Sequence, residues 1–281
     1  MTKINNKNEI KILVSEFISK KEISNNQFAS IVCVSPATVS NILNDKWESI
    51  SDEMWQKVWN AIKIEDWQLI ETVNFKTIQK VCNDAKRNHK MVSVIGFTGA
   101  GKTVALTSFY QSHSNVFYIE YCKSMKPKQF FKKLLQEMGV QYVGSIYEMV
   151  ERVTDELNSK INPLIIIDEA GKLTQTLLHY LHDLRNKTFK GTGILLAGVE
   201  YFKSNMEKWT DRQKEGMPEF FDRVYVWQEL NQPTKREIRA IAEANGATDE
   251  ALVSELYKLK SFRQIFNRVT SHLQFEQEAL V

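Results

Sequence analysis

Eight consecutive residues in the first half of the chain have the types and spacing of a phosphate-binding loop. They run from Gly96 to Thr103 as GFTGAGKT, which fits the pattern GxxxxGK[ST]. Glycines let backbone N–H groups converge on phosphate oxygens, and the helix that follows adds partial positive charge. We expect Lys102 to neutralise the β- and γ-phosphates of a nucleoside triphosphate, and Thr103 to place its hydroxyl on Mg²⁺. The predicted nucleotide contacts are Gly96, Thr98, Gly99, Ala100, Gly101, Lys102, Thr103 and Val104.

A second signal is a short aliphatic run, residues 164–167, that ends in the carboxylates Asp168 and Glu169. Such a run is typical of a buried strand, and parallel sheets bind ligands at the carboxyl ends of their strands. Asp168 would hold Mg²⁺, directly or through water, and Glu169 would accept a proton from the attacking water. One further predicted strand, residues 116–121, lies between the two motifs. This spacing favours P-loop ATPases with a catalytic glutamate over nucleotide kinases.

The elements that must position these residues alternate between helices and apolar strands over residues 71–230. Strands are predicted at residues 91–95, 116–121, 164–167, 193–197 and 224–227. Apolar runs separated by helical patterns indicate an α/β fold with a five-stranded parallel sheet covered on both faces. Residues 231–281 contain helical patterns alone, and we interpret them as a helical lid.

Residues 1–70 form a separate, all-helical block. Ser24 and Gln27 match a capping box, and Ser35 followed by Pro36 matches the start of another helix. Two short helices with a few residues between them predict a helix-turn-helix domain. The first 75 residues hold eight lysines, no arginine and ten acidic residues, which argues against tight duplex binding by this domain alone. The alternative to DNA binding is that this helix-turn-helix domain docks onto another protein.

The composition excludes several classes of protein. With 281 residues, 43% hydrophobic and 25% charged, the chain is neither disordered nor collagen-like nor a disulfide-stapled miniprotein. The net charge of +3 neither requires nor excludes nucleic acid. Three dispersed cysteines indicate reduced thiols, and the polar N-terminus and the lack of a long apolar run predict neither a signal peptide nor a membrane span. We therefore expect a cytoplasmic location.

The P-loop, the acidic strand end, the five strands and the helical lid together resemble the AAA+ ATPases. Within that class, the domain order and the stretches at residues 101–106, 116–120 and 124–128 resemble the family of the phage Mu B transposition protein, over nearly the whole chain. The resemblance implies an ATPase that binds ATP and Mg²⁺ and assembles into a ring or filament. It also implies binding of double-stranded DNA with little sequence preference, delivery of that DNA to a transposase, and slow hydrolysis that DNA or a partner stimulates.

The resemblance also assigns roles to arginines outside the two motifs. Arg223, before the fifth strand, takes the place of the arginine finger that reaches a neighbouring subunit's γ-phosphate, and Arg212 is the alternative. Arg263, at the start of a lid helix, takes the place of sensor 2. The chain departs from the pattern at sensor 1, because the end of the fourth strand offers only Glu200 where a neutral polar residue is expected.

DNA contacts need Lys or Arg at a surface that faces the phosphates. Two groups of basic residues are candidates, one after the second strand and one before the fourth. They are Lys123, Lys126 and Lys128, and Arg185, Lys187 and Lys190. Two other functions remain open at this point: an ATP-controlled regulator that reads an operator through its N-terminal helices, and a loader of a replicative helicase.

Overall fold

The structure is a computed structural model that describes residues 7–20, 23–32, 34–65 and 67–279. The chain divides after Leu69 into two compact units, and the first unit also takes in Glu243–Gly246. Among the described helices, none combines the length and the apolar character that crossing a bilayer requires.

In the described part of the first unit, four α-helices pack around an apolar core. They are α1 (Lys7–Lys20), α2 (Asn25–Ile31), α3 (Pro36–Leu43) and α4 (Asp52–Glu65). The caps predicted from the sequence are present, because Ser24 and Gln27 each accept a hydrogen bond from the other's backbone N–H. Ser35 likewise accepts from the N–H of Thr38 at 3.1 Å. Phe28, Val39 and Trp55 lie fully buried in the core, so the cohesion of this small unit comes from apolar burial.

The second unit contains five strands and ten helices among its described residues. In chain order they are α5 (Val73–Arg87), β1 (Met91–Ile95), α6 (Lys102–Ser112), β2 (Val116–Glu120), α7 (Pro127–Glu137), α8 (Ile146–Asn158), β3 (Leu164–Asp168), α9 (Gln175–Thr188), β4 (Gly193–Gly198), α10 (Glu200–Asp211), α11 (Met217–Arg223), β5 (Val226–Glu229), α12 (Lys235–Ala244), α13 (Glu250–Leu256) and α14 (Phe262–Ala279).

All five strands are parallel and lie in the order β2-β3-β4-β1-β5. Every residue of β1, β3 and β4 is buried, because separate apolar clusters cover the two faces of the sheet. The predicted α/β fold with a five-stranded parallel sheet is confirmed. The order also places β4 between β1 and β3, so the P-loop and the acidic strand end are two strand spacings apart, roughly 10 Å.

The larger differences from the sequence prediction lie in β5 and α11, while β2, β3 and β4 end within one residue of their predicted ends. Strand β5 begins at Val226, two residues later than predicted, because this edge strand includes the polar Gln228 and Glu229. Helix α5 begins at Val73, where the Thr72 side chain caps it. The short helix α11 was not predicted; it follows Gly216, which has a φ of +70°, and carries a proline in its first turn.

Candidate functional site

The P-loop joins the end of β1 to the start of α6, as the motif requires. Gly99 and Gly101 have φ values of +83° and +84°, a region that side chains with a Cβ rarely adopt. A Cβ on Gly99 would also lie 3.0 Å from the Cβ atoms of Ser261 and Arg263, so glycine is needed there on both counts. Loop and helix place the predicted contacts Gly96, Thr98, Ala100 and Val104 in one continuous segment with the reactive side chains.

Lys102 is the first residue of α6, and its half-buried ammonium folds back over the loop. It donates to the carbonyl oxygens of Gly96 at 2.7 Å and Phe97 at 3.1 Å. Burial lowers the pKa of Lys102, while the charges of Asp168 and Glu169 oppose this shift. An ammonium held in the loop by weak carbonyl acceptors is well placed to exchange them for phosphate oxygens, which are stronger acceptors.

Asp168, the last residue of β3, is 1% exposed and accepts three hydrogen bonds. Oδ2 accepts from the Thr103 hydroxyl at 2.7 Å and from the Tyr118 hydroxyl at 3.0 Å, and Oδ1 accepts from the N–H of Glu169 at 2.8 Å. The Thr103 contact spans the gap between the P-loop and β3. A hydroxyl and a carboxylate are the oxygen ligands that Mg²⁺ prefers, so the side chains present fit a magnesium nucleotide.

Tyr118 was missed in the sequence analysis. It lies in β2, and burial together with the charge of Asp168 raises its pKa above the ordinary value, so that the hydroxyl remains a donor. The one available signal was a polar tyrosine among the apolar residues of a strand predicted to lie in this sheet.

Glu169 follows directly, with a φ of +59°, an uncommon backbone conformation for a glutamate. Its carboxylate forms an ion pair with Lys172 at 3.1 Å, and this pairing raises the pKa of Lys172. One oxygen of the half-exposed carboxylate is therefore engaged by a neighbouring ammonium.

The start of α14 lies directly against the P-loop. The N–H of Phe262 donates to the carbonyl oxygen of Gly99 at 2.9 Å, and Ser261 caps the helix by accepting from the N–H of Gln264. Arg263 is exposed, and its charge contributes to lowering the pKa of Lys102. Arg263 therefore lies beside the P-loop.

Asn74 is a second residue that the sequence analysis missed. Its buried side chain donates to the carbonyl oxygens of Asn231 at 2.8 Å and Ala100 at 3.3 Å, and accepts from the N–H of Asn231 at 3.1 Å. It thereby connects α5, the P-loop and the segment that leads to α12. No local pattern marks this asparagine, because all its partners are distant in sequence.

At the end of β4 the chain places glycine where sensor 1 is expected. The Gly198 carbonyl accepts from the N–H of Gly96 at 3.1 Å, and Glu200 opens α10 with an exposed side chain. The departure noted in the sequence therefore persists in the structure.

Arg223 is the last residue of α11 and lies near the amino-terminal ends of the strands, opposite the P-loop. Two residues later the N–H of Tyr225 donates to the carbonyl of Met91, the first residue of β1, whereas the P-loop follows the last one. Five strand residues separate these ends, roughly 16 Å. The exposed Arg223 therefore does not reach the chain's own phosphate site, and the structure does not bring it together with Lys102 and Glu169.

The two groups of basic residues differ in how their side chains are used. The first group lies after β2, at the carboxyl ends of the strands, as the P-loop does. Its three side chains, those of Lys123, Lys126 and Lys128, are exposed. In the second group, Arg185 and Lys187 belong to the end of α9, and Lys190 follows the helix.

The side chains of that second group are largely engaged. The Arg185 guanidinium donates to the carbonyls of Thr192 at 2.7 Å and His89 at 2.8 Å, and burial lowers its pKa. Lys187 pairs with Glu151, and Lys190 lies over the ring of Phe189. Arg185 therefore closes the connection into β4, and its donors are not directed towards a ligand.

Comparison with known proteins agrees with this geometry. Residues 85–206 match the protein family described as "AAA domain". The Aeropyrum pernix ORC1 protein, solved in complex with DNA, has a similar fold, with a TM-score of 0.54 and 16% identity over 75% of this chain and 62% of that chain. The chain therefore has the fold of the AAA+ ATPases, and its P-loop and acidic strand end are arranged as in P-loop ATPases of that class.

The sequence likeness is narrower than the class. The chain is 24% identical over 274 residues to the "ATP-dependent target DNA activator B" of Escherichia phage D108, a match that covers 93% of this chain and 86% of that protein. The protein of the same description in Escherichia phage Mu matches equally well. The Haemophilus influenzae "Mu-like prophage FluMu DNA transposition protein B" is 23% identical over 254 residues, 84% of this chain and 85% of that protein. These matches confirm the resemblance to the phage Mu B transposition proteins.

Proposed function

We propose that this chain is an ATP-dependent activator of target DNA in transposition. In this proposal it binds ATP and Mg²⁺, assembles on double-stranded DNA with little sequence preference, and presents that DNA to a transposase. The observation that carries the proposal is the hydrogen bond from Thr103 to Asp168, which connects the P-loop to the acidic end of β3. It occurs in a chain that is similar along 93% of its length to a target DNA activator.

Within the site, each side chain has a distinct task. The loop N–H groups and Lys102 bind the triphosphate, Thr103 and Asp168 hold Mg²⁺, and Glu169 accepts a proton from the attacking water. The bound metal would supply charge neutralisation at the β- and γ-phosphates. Glu169 is paired with Lys172, and β4 ends in Gly198, followed by Val199 and the charged Glu200, where a neutral polar sensor is expected. Both features support slow hydrolysis that DNA or a partner accelerates.

A neighbouring subunit completes the site in this proposal. Arg223 lies too far from its own P-loop to contact the γ-phosphate, and its exposed position suits contact with the site of a second copy. Binding of ATP between subunits would favour assembly, and hydrolysis of the ATP would let the subunits separate.

Arg223→Ala is expected to lower ATP turnover about 10²-fold, the usual cost of losing one donor to transition-state charge. Nucleotide affinity should change little, because the arginine acts in trans. The measurement is steady-state phosphate release by the full chain, with Arg212→Ala as the matched control at another exposed helix end.

A mixing experiment distinguishes action in trans from a structural effect. Arg223→Ala retains Glu169, and Glu169→Gln retains Arg223, so mixed oligomers contain some complete sites. Turnover of the mixture well above that of either variant supports the trans arrangement. A mixture no more active than its components contradicts it, and a loss on Arg212→Ala alone would move the role to that residue.

For DNA, we prefer the three exposed lysines after β2 as the phosphate contacts. Lys123, Lys126 and Lys128 lie at the nucleotide edge of the sheet, where assembly and ATP would act on them directly. Arg185 is excluded from the proposal because both of its terminal nitrogens donate to backbone carbonyls. Phosphate contacts carry no base information, in keeping with weak sequence preference.

The triple variant Lys123→Gln, Lys126→Gln and Lys128→Gln is expected to weaken ATP-dependent DNA binding. The slope of log affinity against log salt should fall by about one for each lost phosphate contact, thus about three. Fluorescence anisotropy on random duplex DNA measures both quantities. The matched control is Lys187→Gln with Lys190→Gln, and a larger effect from that pair would reverse the assignment.

Sedimentation of the full chain with ATP, Mg²⁺ and random duplex DNA tests the function as a whole. We expect large DNA-bound assemblies with ATP and their loss without it. Stimulation of strand transfer by a transposase of the same genome would complete the test. A footprint at one sequence would instead support the regulator, and association with a replicative helicase would support the loader.

A further inference from the structure

Tyr118 makes a contact that the described site does not yet explain. Its hydroxyl donates to Oδ2 of Asp168 at 3.0 Å, the same oxygen that accepts from Thr103 at 2.7 Å. The tyrosine comes from β2, and its ring lies 5.9 Å from that of Tyr110. A strand with no place in the nucleotide motifs thus contributes a donor to the magnesium-binding carboxylate.

We propose that Tyr118 is a positioning residue for the divalent cation: it holds Asp168, and through Asp168 it holds the Thr103 hydroxyl. This inference rests on the proposed function, because it assumes that Mg²⁺ and a nucleotide occupy this site. Tyr118 itself contacts neither the phosphates nor the water.

A count of donors and acceptors supports this role. A carboxylate has about four lone-pair sites, and three of those on Asp168 accept from Thr103, Tyr118 and the N–H of Glu169. One site remains for a water of the cation's hydration shell. Because the Thr103 hydroxyl donates its hydrogen bond to Asp168, both lone pairs of its oxygen are left for a cation.

The same count predicts what loss of the Tyr118 hydroxyl does. Without it, Asp168 keeps two donors and can turn about its side-chain bonds, so the Thr103 oxygen is no longer fixed. Groups that orient metal ligands through hydrogen bonds typically change metal affinity by about 10- to 100-fold when removed. The phenyl ring of phenylalanine preserves the packing, so the hydroxyl alone is tested.

Tyr110 offers a matched control for the same chemistry. Its hydroxyl donates to Glu137 at 2.9 Å, a carboxylate on α7 that has no part in the nucleotide site. Tyr110→Phe therefore removes a tyrosine–carboxylate hydrogen bond from the same aromatic pair without touching Asp168.

The experiment titrates Mg²⁺ into the full chain with a fluorescent ADP analogue and follows binding, independently of turnover. For Tyr118→Phe we expect the half-saturating Mg²⁺ concentration to rise about tenfold. Affinity for the analogue in excess EDTA should stay as in the wild type. Tyr110→Phe should match the wild type in both conditions.

The possible outcomes separate this role from the wider proposal. An unchanged or lower Mg²⁺ requirement in Tyr118→Phe overturns the positioning role alone, as does an equal loss of affinity in EDTA, which marks a structural effect. A wild-type chain that binds no nucleotide under any condition overturns the proposed function, and the role of Tyr118 with it.

Discussion

Lys102→Ala is expected to weaken ATP binding by roughly 30- to 5,000-fold, the range of about 2–5 kcal/mol for truncating one partner of a buried charged contact. The ammonium is half-buried and donates to carbonyl oxygens of the loop, and its removal leaves the triphosphate charge without its main neutralising group. Isothermal calorimetry with ATP and Mg²⁺ measures the loss. ATP-dependent assembly on DNA, followed by sedimentation, should disappear together with binding.

Lys86 provides a stringent control for this substitution. It too is partly buried, has a pKa lowered by burial, and donates to two backbone carbonyls, those of Ser114 and Asn162. Lys86→Ala should reproduce any general destabilisation and keep nucleotide binding. If Lys102→Ala binds ATP as the wild type does, or if both variants lose binding equally, the phosphate role of Lys102 is wrong.

Glu169→Gln is expected to lower ATP turnover by about 10²–10⁴-fold, the usual contribution of a positioned general base. Glutamine keeps the size of the side chain and cannot accept the proton of the attacking water. Binding of ATP and assembly should persist, so the variant should remain trapped on DNA. Phosphate release and the dissociation rate of the assembly are the two measurements.

Lys172→Gln distinguishes the loss of the Glu169 proton acceptor from the loss of its ion pair. Both variants break the same exposed pair, whose own contribution to stability is about 0–1 kcal/mol. Only Glu169→Gln removes the base, so Lys172→Gln should hydrolyse ATP at least as fast as the wild type. Equal losses in the two variants would mean that the ion pair, and not the proton acceptor, sustains turnover.

Several features of the fold were predictable because their causes are local. The capping pairs at Ser24 and Ser35 depend on residues within one helical turn, and both are found as predicted. The aliphatic runs of β1 and β3 indicate burial on both faces wherever the strands lie. The turn chemistry of α11 spans only seven residues and escaped notice, and the polar edge strand β5 was placed two residues early.

The site divides in the same way. The sequence alone predicted the P-loop, the two carboxylates after β3 and the α/β fold with a five-stranded parallel sheet, because glycine conformation, strand burial and the spacing of the motif are properties of short segments. Only the tertiary structure decided that Tyr118 donates to Asp168, 50 residues away, and that the start of α14 lies on the P-loop. It also decided that Arg185 is engaged by carbonyls, and that Arg223 lies near the end of the strands opposite its own P-loop. Such contacts depend on strand order and on which ends of parallel strands meet, and no local pattern of residues encodes either.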